Sequence, residues 1–262
     1  MNDRAAVRSG GLAITNPKIM LFALLLVYIL NFLDRQIVNI LAEPIKGELG
    51  LSDTQLGLLA GPAFAVFYAV LGIPIARYAD NAKTNRVWLI SICLAIWSAM
   101  TALCGVAQNF VQLALARIGV GVGEAGCTPA AHSLIADSVP PEKRCSAIAF
   151  FGLGIPIGGL LGLIIGGVVN DQYGWRMALM LVGMPGILLA FVLPLLIRDP
   201  RRCADSAHFN TADSPVKAKL SIKDAVREVF ASKAYLYVFI AASFTAFLSY
   251  GKGLWTISFF IR

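Results

Sequence analysis

The chain has 262 residues, of which 58% are hydrophobic and only 14% are charged. Because a soluble domain carries about a quarter charged residues, this composition excludes a soluble enzyme. The net charge of +7 is distributed over the loops between apolar runs and not gathered in a basic domain, which argues against a nucleic-acid-binding protein.

Seven apolar runs, each long enough to cross a bilayer as a helix, follow one another along the chain. They cover about 19–40, 55–78, 87–107, 110–135, 145–169, 175–197 and 234–261. The polar tail at 1–18 is not followed by a cleavage site of small residues. We therefore predict a retained membrane helix at the first run, in place of a removable signal peptide.

The spacing of the runs predicts the domain organisation. A tail at 1–18 precedes a six-helix bundle at 19–197, and a polar linker follows at 198–233. Within the linker, 221–230 has the pattern of a short amphipathic helix on the membrane surface. A seventh helix at 234–262 then resembles the start of a second bundle. We therefore expect the chain to be a fragment whose C-terminal bundle lies elsewhere.

Basic residues predict the orientation, because Lys and Arg are concentrated in cytoplasmic loops. The tail, the linker and the second-to-third and fourth-to-fifth loops are basic, whereas the alternate loops hold only Lys46 and Arg176. This pattern places the N-terminus and the linker in the cytoplasm, in a multi-pass protein of the cell membrane.

A faint repeat relates the two halves of the bundle. Gly72 begins GIPIARYAD at the end of the second span, and Gly167 begins GVVNDQYGWR at the end of the fifth. Equivalent positions on opposite membrane faces are typical of the inverted three-helix repeats of secondary transporters.

Six short motifs extend over most of the chain: NFLDR at 31–35, GIPIARYAD at 72–80, RIGVGVGEAG at 117–126, GIPIGG at 154–159, GWR at 174–176 and RDP at 198–200. By them the chain resembles the major facilitator superfamily and, within it, the spinster-like branch. The resemblance implies an all-α fold of two inverted three-helix repeats followed by the first helix of the second bundle. It also implies transport by alternating access of an amphipathic lipid, such as a lysophospholipid or sphingoid compound.

The resemblance also implies gating residues in the two repeated stretches, where loops of the family lock one conformation. The family signature has Asp where Ala76 stands here, so we expect Asp80 to be the working carboxylate, with Arg77 and Arg86 as partners. The second copy is closer to the signature and offers Asp171 and Arg176. The alternative is that these charges serve topology alone.

Charges within the spans predict the transport chemistry, because charged side chains in a membrane normally face the bundle interior or a cavity. Arg117 and Glu124 lie two turns apart on one face of the fourth span. Asp34, beside Arg35 in the first span, comes to a depth similar to that of Arg117. We expect Glu124 to carry a coupling proton, with Asp34 and Arg117 as alternating partners. A static ion pair, or binding of an anionic substrate by Arg117, remains open.

The seventh span adds Tyr250, Lys252 and Trp255 as candidate substrate contacts. Lys252 is ionisable within an apolar run, although its stem can also carry the amine to an interface. The glycines of the fourth and fifth spans indicate close helix packing and not a phosphate loop. Pro129 and Pro156 are expected to kink the same two helices. The scattered cysteines and two histidines predict no metal site, and no cofactor is expected.

Three alternatives to lipid transport remain. The first is a proton-coupled carrier of small organic anions, sugars or drugs on the same fold. The second is a membrane-embedded enzyme with Glu124 and His132 as its acid–base pair. The third is a receptor or scaffold, which would work without the charges at Asp34, Arg117 and Glu124. The expected partners are the bilayer, protons, an amphipathic or anionic substrate and the second bundle.

Overall fold

The computed structural model describes residues 16–202 and 230–261, and the described residues form helices and no strand. Ten α-helices follow in chain order: α1 (Pro17–Ile40), α2 (Ala42–Leu49), α3 (Asp53–Ala60), α4 (Pro62–Asp80), α5 (Arg86–Cys104), α6 (Phe110–Glu124), α7 (Cys127–Ser138), α8 (Pro141–Gly152), α9 (Gly154–Leu196) and α10 (Lys233–Ile261). A short 3-10 helix, Pro200–Arg202, comes after α9. The prediction of an all-α membrane fold is confirmed.

Polar side chains begin the helices where the chain leaves the loops. Asn16 caps α1, Asn85 caps α5 and Asn109 caps α6, each accepting a hydrogen bond from the first turn. Ser52 and Gln55 form a reciprocal capping box at the start of α3. These side chains satisfy amide groups that a helix leaves free at its N-terminus.

Several spans consist of two helices. The pair α3 and α4 forms one apolar segment, Asp53–Asp80, and α6 with α7 forms another, Phe110–Ser138. The helices α6 and α8 end just before Pro129 and Pro156, the two positions at which the sequence predicts kinks. Proline removes a helical hydrogen bond and clashes with the preceding turn, which accounts for breaks at these places.

The segment Pro141–Leu196 crosses twice. Its 56 residues would reach about 84 Å as one helix, far beyond the ~30 Å hydrocarbon core. Gly174 interrupts α9 with φ of 79°, a left-handed conformation that glycine adopts without a steric penalty. The chain turns there, so the six apolar segments correspond to seven crossings.

The crossings pack in a pattern that matches an inverted repeat. The first crossing lies against the fifth, where Gly158 and Gly162 face the backbone of Ile29 and Leu33. The fourth lies against the second, where Gly121 faces the backbone of Phe64. If crossings one to three are exchanged with crossings four to six, the first–fifth pair becomes the fourth–second pair. This is the arrangement that the repeat in the sequence predicts.

The third and sixth crossings also meet through a glycine, and this contact gives a prediction. A Cβ atom at Gly183 would lie 2.9 Å from the backbone nitrogen of Ala102, whereas a Cβ at Gly167 on the same helix meets nothing. Gly183→Ala should lower the thermal midpoint through overpacking of about 1–3 kcal/mol. Gly167→Ala, the matched control, should leave it unchanged or slightly raised. Equal midpoints for the two variants in a detergent thermal-shift assay would contradict this packing.

The helix α10 stands beside α1 and α2, and nearly all of its described side chains are exposed. Residues 203–229 of the expected linker lie outside the described residues, and so does the expected tail apart from its last three residues, 16–18. The expected surface helix at 221–230 lies outside them too, apart from Phe230. The described residues therefore form a bundle of six crossings, with α10 packed beside it along α1 and α2.

Candidate functional site

A buried ion pair lies in the middle of the bundle. The Nε atom of Arg35 on α1 donates to Oε2 of Glu124 at the end of α6, over 2.7 Å. The Glu124 side chain is fully buried, and that of Arg35 is 13% exposed. The Arg35 guanidinium also lies 4.8 to 5.2 Å from the ring centres of Phe32, Phe64 and Tyr68. The burial of Glu124 and the aromatic rings around Arg35 shield this charge pair from most of the solvent.

Two further charges lie close by without a direct ion pair. Asp34 is buried and accepts a hydrogen bond from the Thr101 hydroxyl, which lies 2.8 Å from one carboxylate oxygen and 2.7 Å from the other. Arg117 is 3% exposed, and its Nε and Nη1 atoms have no hydrogen-bond partner among the described residues. The Arg117 guanidinium lies 5.4 Å from the Phe64 ring centre. Since buried polar groups are normally satisfied, unpaired donors on Arg117 point to a ligand or to a second conformation.

The structure thus brings Asp34, Arg117 and Glu124 into one buried cluster, with electrostatic interactions among them. The expected pairings are not formed in this conformation. The carboxylate of Glu124 is paired with Arg35, not Arg117, and that of Asp34 is bonded to Thr101. The sequence predicts the depth of each charged residue in the membrane. It does not predict how each helix is rotated about its axis, and this rotation decides which side chains meet.

An open cavity of about 270 Å³ lies beside this cluster. Arg35 and Arg117 reach its wall together with the polar side chains of Gln36 and Asn39. Phe32 and Phe64 supply an aromatic wall. The α10 residues Ser249 and Gly253 close part of the other side. A cavity with cationic and polar groups on one part of its lining and aromatic rings on another fits an amphipathic or anionic ligand.

Of the residues predicted in the seventh crossing, Lys252 and Trp255 do not line this cavity in the described part of the chain. Lys252 and Trp255 are exposed, and the Trp255 ring lies near Gly57 of α3. The side chain of Tyr250 lies outside the part of the chain that the structure describes. The cavity contacts of α10 come instead from the adjacent positions, Ser249 and Gly253.

A second charge cluster joins the crossings at one end of the bundle, here called the Asp199 end. Arg86, the first residue of α5, is fully buried. Its Nε and Nη2 atoms donate to the two oxygens of Asp199 over 3.0 and 2.5 Å, and its Nη1 donates to Asp137 over 2.6 Å. Arg201 also donates to Asp137, over 2.7 Å. The cluster therefore links α5, α7 and the segment that follows α9.

This cluster bears on the gating prediction. Arg86 pairs with Asp199 and Asp137, not with Asp80, which is exposed and forms no ion pair among residues 16–202 and 230–261. Arg77 is exposed as well. The role of Asp80 as a gating carboxylate stays a prediction.

Asp199 gives a prediction for the pH dependence of stability. Burial alone would raise the pKa of Asp199, but hydrogen bonds from the side chain and backbone of Arg86 outweigh it and hold the pKa below its ordinary value of 3.8. The stabilisation is therefore present in full above that ordinary value and is lost as the pH falls through the lower native one. The thermal-midpoint difference between wild type and Asp199→Asn should be constant from pH 8 to pH 5 and shrink below pH 4. A difference that fades between pH 7 and 5 would contradict this assignment.

A third cluster holds the opposite end, here called the Arg176 end. Arg176 donates to Glu48 of α2 over 2.9 Å and to the carbonyl oxygens of Gly105 and Ala107 over 3.2 and 2.5 Å. The Trp175 indole nitrogen donates to the other Glu48 oxygen over 2.6 Å. Hydrogen bonds from Arg176 and Trp175 hold the pKa of Glu48 below its ordinary value.

The Arg176 end therefore has a clamp built on GWR. The turn at Gly174 brings Trp175 and Arg176 back over α2 and the end of α5. Asp171, the other residue predicted here, is exposed and makes no ion pair within the described ranges. Its role as a gate stays a prediction.

Sequence reasoning missed several members of these clusters: Arg35 as the partner of Glu124, Thr101, Glu48, Asp137, Asp199 and Arg201. Three of them carried a signal. Arg35 stands in NFLDR, Asp199 in RDP, and Asp137 at the end of the fourth span on the same side as Arg86. Thr101 and Glu48 offered none, since single polar residues near a helix end are common in any membrane protein. Arg201 offered none either, because it is one of several basic residues in the predicted linker.

The chain matches the sequence profile of the Major Facilitator Superfamily over residues 24–261. A crystal structure described as a bacterial homolog to the human lysosomal transporter Spinster, in an inward-facing and unoccupied conformation, superposes with a TM-score of 0.82. It is 38% identical and covers 94% of this chain and 56% of that one.

Two curated relatives differ in what they carry. The sphingosine-1-phosphate transporter of Danio rerio is 26% identical over 89% of this chain and 46% of its own. The hexuronate transporter of Bacillus subtilis is 27% identical over 88% of this chain and 56% of its own. The chain spans about half the length of each of these proteins, and its fold and relatives are those of transporters, not of enzymes.

Proposed function

The chain belongs to the major facilitator superfamily, and we propose that it forms part of a proton-coupled secondary transporter for amphipathic lipids of lysophospholipid or sphingoid type. Transport proceeds by alternating access. A second bundle, supplied by chain beyond these residues, completes the cavity beside α10. Half-length coverage of the relatives and the exposure of α10 support that second bundle.

The observation that carries the proposal is the Arg35–Glu124 pair at the cavity wall. A buried charge requires a partner, so protonation of Glu124 leaves Arg35 uncompensated beside the cavity. An anionic headgroup then replaces the carboxylate at Arg35. The proton and the headgroup favour each other's binding, and this reciprocity is the coupling.

Arg117 and Asp34 take part in the same exchange. The unpaired donors of Arg117 supply a second cationic contact for the headgroup. Asp34 balances Arg117 when the cavity is empty, because it lies near enough for electrostatic attraction. The aromatic wall at Phe32 and Phe64 accommodates the apolar chain of the lipid.

Gating is assigned to the two ends. The Arg86–Asp199–Asp137 cluster holds one end rigid, and the Glu48–Arg176 clamp holds the other, so the bundle moves as one body when the access side changes. We place the Asp199 end in the cytoplasm of a cell-membrane protein, because the basic loops all lie there. Asp80, Arg77 and Asp171 are candidate contacts to the second bundle, and Lys252, Tyr250 and Trp255 are candidate contacts to the substrate.

A small organic anion is the second candidate substrate. The free Nε and Nη1 atoms of Arg117 suit a carboxylate or phosphate, which accept paired hydrogen bonds from a guanidinium. The hexuronate transporter among the relatives supports this alternative, which uses the same proton site.

The test uses the intact transporter in liposomes that enclose a pH-sensitive dye. A gradient of lysophosphatidylglycerol should move protons, and an equal gradient of glucuronate should not. Protons moved by glucuronate alone would remove the lipid assignment and make Arg117 the anchor for a small anion. Lipid movement without proton movement would remove the coupling. Empty liposomes control for spontaneous insertion of the lysolipid.

A further inference from the structure

Asn31 is a buried polar residue that the transport scheme above does not use. It lies in the middle of α1 and is 1% exposed. Neither its amide nitrogen nor its amide oxygen has a hydrogen-bond partner among the described residues. An amide with both ends unsatisfied inside a membrane bundle is costly and calls for an explanation.

The helix register places Asn31 toward Glu124. Asn31 and Arg35 are four residues apart on α1 and so share one face of the helix. Arg35 donates to Oε2 of Glu124, and the Asn31 amide lies beside the same carboxylate. The second carboxylate oxygen, Oε1, is buried without a partner among the described residues. Three unsatisfied atoms, two on Asn31 and one on Glu124, are therefore neighbours.

We propose that Asn31 is a positioning residue that satisfies the free oxygen of Glu124 in both of its protonation states. This inference rests on the proposed role of Glu124 as the proton site. An asparagine side chain has both a donor and an acceptor. Its NH₂ group donates to Oε1 when Glu124 is charged. Its C=O group accepts from the acid O–H when Glu124 is neutral.

An apolar side chain can neither donate nor accept a hydrogen bond, and an ionised carboxylate can only accept one. Neither could therefore bond to Glu124 in both of its protonation states. The amide of Asn31 therefore lets the proton enter and leave without an unsatisfied oxygen in either state. The Asn31 amide lies close enough to the Glu124 carboxylate to influence it as a hydrogen-bonding group.

Other ionisable groups face Glu124 and are left unchanged by a substitution at Asn31. These groups lie on the helices packed around Glu124. They are Asp34 and Arg35 on α1, Tyr68 on α4, Cys93 on α5, Arg117 on α6 and Cys127 on α7.

The test is a pH titration of the intact transporter in nanodiscs by infrared difference spectroscopy, which needs no substrate. The carboxylic acid band of Glu124 is identified as the band that Glu124→Gln removes. Asn31→Leu, of similar size and without polar atoms, should move the titration midpoint of that band upward by about one pH unit, a tenfold change. Removing a hydrogen-bond donor destabilises the charged carboxylate more than the neutral acid, and the midpoint rises for this reason.

Asn31→Gln, which retains the amide, should restore the midpoint at least in part. Ser138→Ala is the matched control, because it removes a buried hydroxyl at the far end of α7 that also has no hydrogen-bond partner among the described residues. An unchanged or lowered midpoint in Asn31→Leu overturns the inference. If Asn31→Leu does not fold, the wild-type band decides: a frequency typical of a free acid, with no hydrogen bond, overturns it equally.

The two proposals fail in different ways. If Glu124→Gln removes no band that titrates between pH 4 and 9, Glu124 is not the proton site and the proposed function falls. If that band titrates with the same midpoint in Asn31→Leu as in the wild type, only the proposed role of Asn31 is lost.

Discussion

Replacing Arg35 with alanine should reduce proton-coupled transport at least about 100-fold. Removing one partner of a buried ion pair costs about 3–5 kcal/mol, and each 1.36 kcal/mol is a factor of ten. Glu124, fully buried, would then lose the cation that stabilises its charged form, so the exchange of its proton would be impaired. The aromatic rings of Phe32, Phe64 and Tyr68 would also lose the cation they surround.

The measurement is substrate-driven proton flux into dye-loaded liposomes, with protein folding checked by gel filtration. Arg35→Lys keeps the charge but loses the planar contacts with the rings, so it should retain a minor part of the flux. The double variant Arg35→Ala/Glu124→Gln should be more stable than Arg35→Ala alone, because no unpaired charge remains. Strictly additive stability losses would show that the two side chains do not act as a pair.

Arg86→Ala should have the largest effect on stability. The guanidinium is fully buried and donates to Asp199, Asp137 and the Ser133 carbonyl. Its removal takes away the side-chain charge that stabilises the buried Asp199 carboxylate, and breaking a buried ion pair costs about 3–5 kcal/mol. We expect a thermal midpoint well below that of the wild type and poor recovery of folded protein from membranes.

Arg198→Ala is the control for this variant. Arg198 is exposed and adjoins Asp199 in sequence, yet it lies outside the cluster, so its loss should leave the midpoint unchanged. The double variant Arg86→Met/Asp199→Asn should recover part of the stability that Arg86→Ala loses. Equal midpoints for Arg86→Ala and Arg198→Ala in detergent would show that the cluster does not hold the Asp199 end together.

The fold followed closely from the sequence because a membrane leaves few choices. Each apolar run must satisfy its own backbone, so length and hydropathy alone predict a helix. The contacts of Gly121 and Gly158 with neighbouring backbones agree with the predicted role of the glycines of the fourth and fifth spans in helix packing. The breaks near Pro129 and Pro156 were also foreseen, since proline disrupts helices by a local mechanism.

The candidate site was predicted in composition but not in pairing. Asp34, Arg117 and Glu124 stood out because buried charges in apolar spans are rare. Counting 1.5 Å per residue gives depth along the axis and says nothing about how neighbouring helices are rotated. Arg35 therefore displaced Arg117 as the partner of Glu124, although it directly follows Asp34 in the chain.

The gate was harder to predict because its partners are remote in sequence. Arg86 and Asp199 are separated by 113 positions, and only the packing of α5 against the end of α9 brings them together. Asp80 was preferred because the family signature has its carboxylate at the position of Ala76, one turn earlier. The buried partners of Arg86 are Asp199 and Asp137 instead, and a gating role of Asp80 stays a prediction.

The central claim is that Glu124 carries the coupling proton, and one variant tests it most directly. Glu124→Gln keeps the size of the side chain and an oxygen that accepts from Arg35, but it cannot take up or release a proton. In liposomes with the intact transporter, this variant should still exchange labelled lysophosphatidylglycerol across the membrane while its substrate-driven proton flux falls to the level of empty liposomes. Proton flux equal to that of the wild type, at equal lipid transport, would contradict the account.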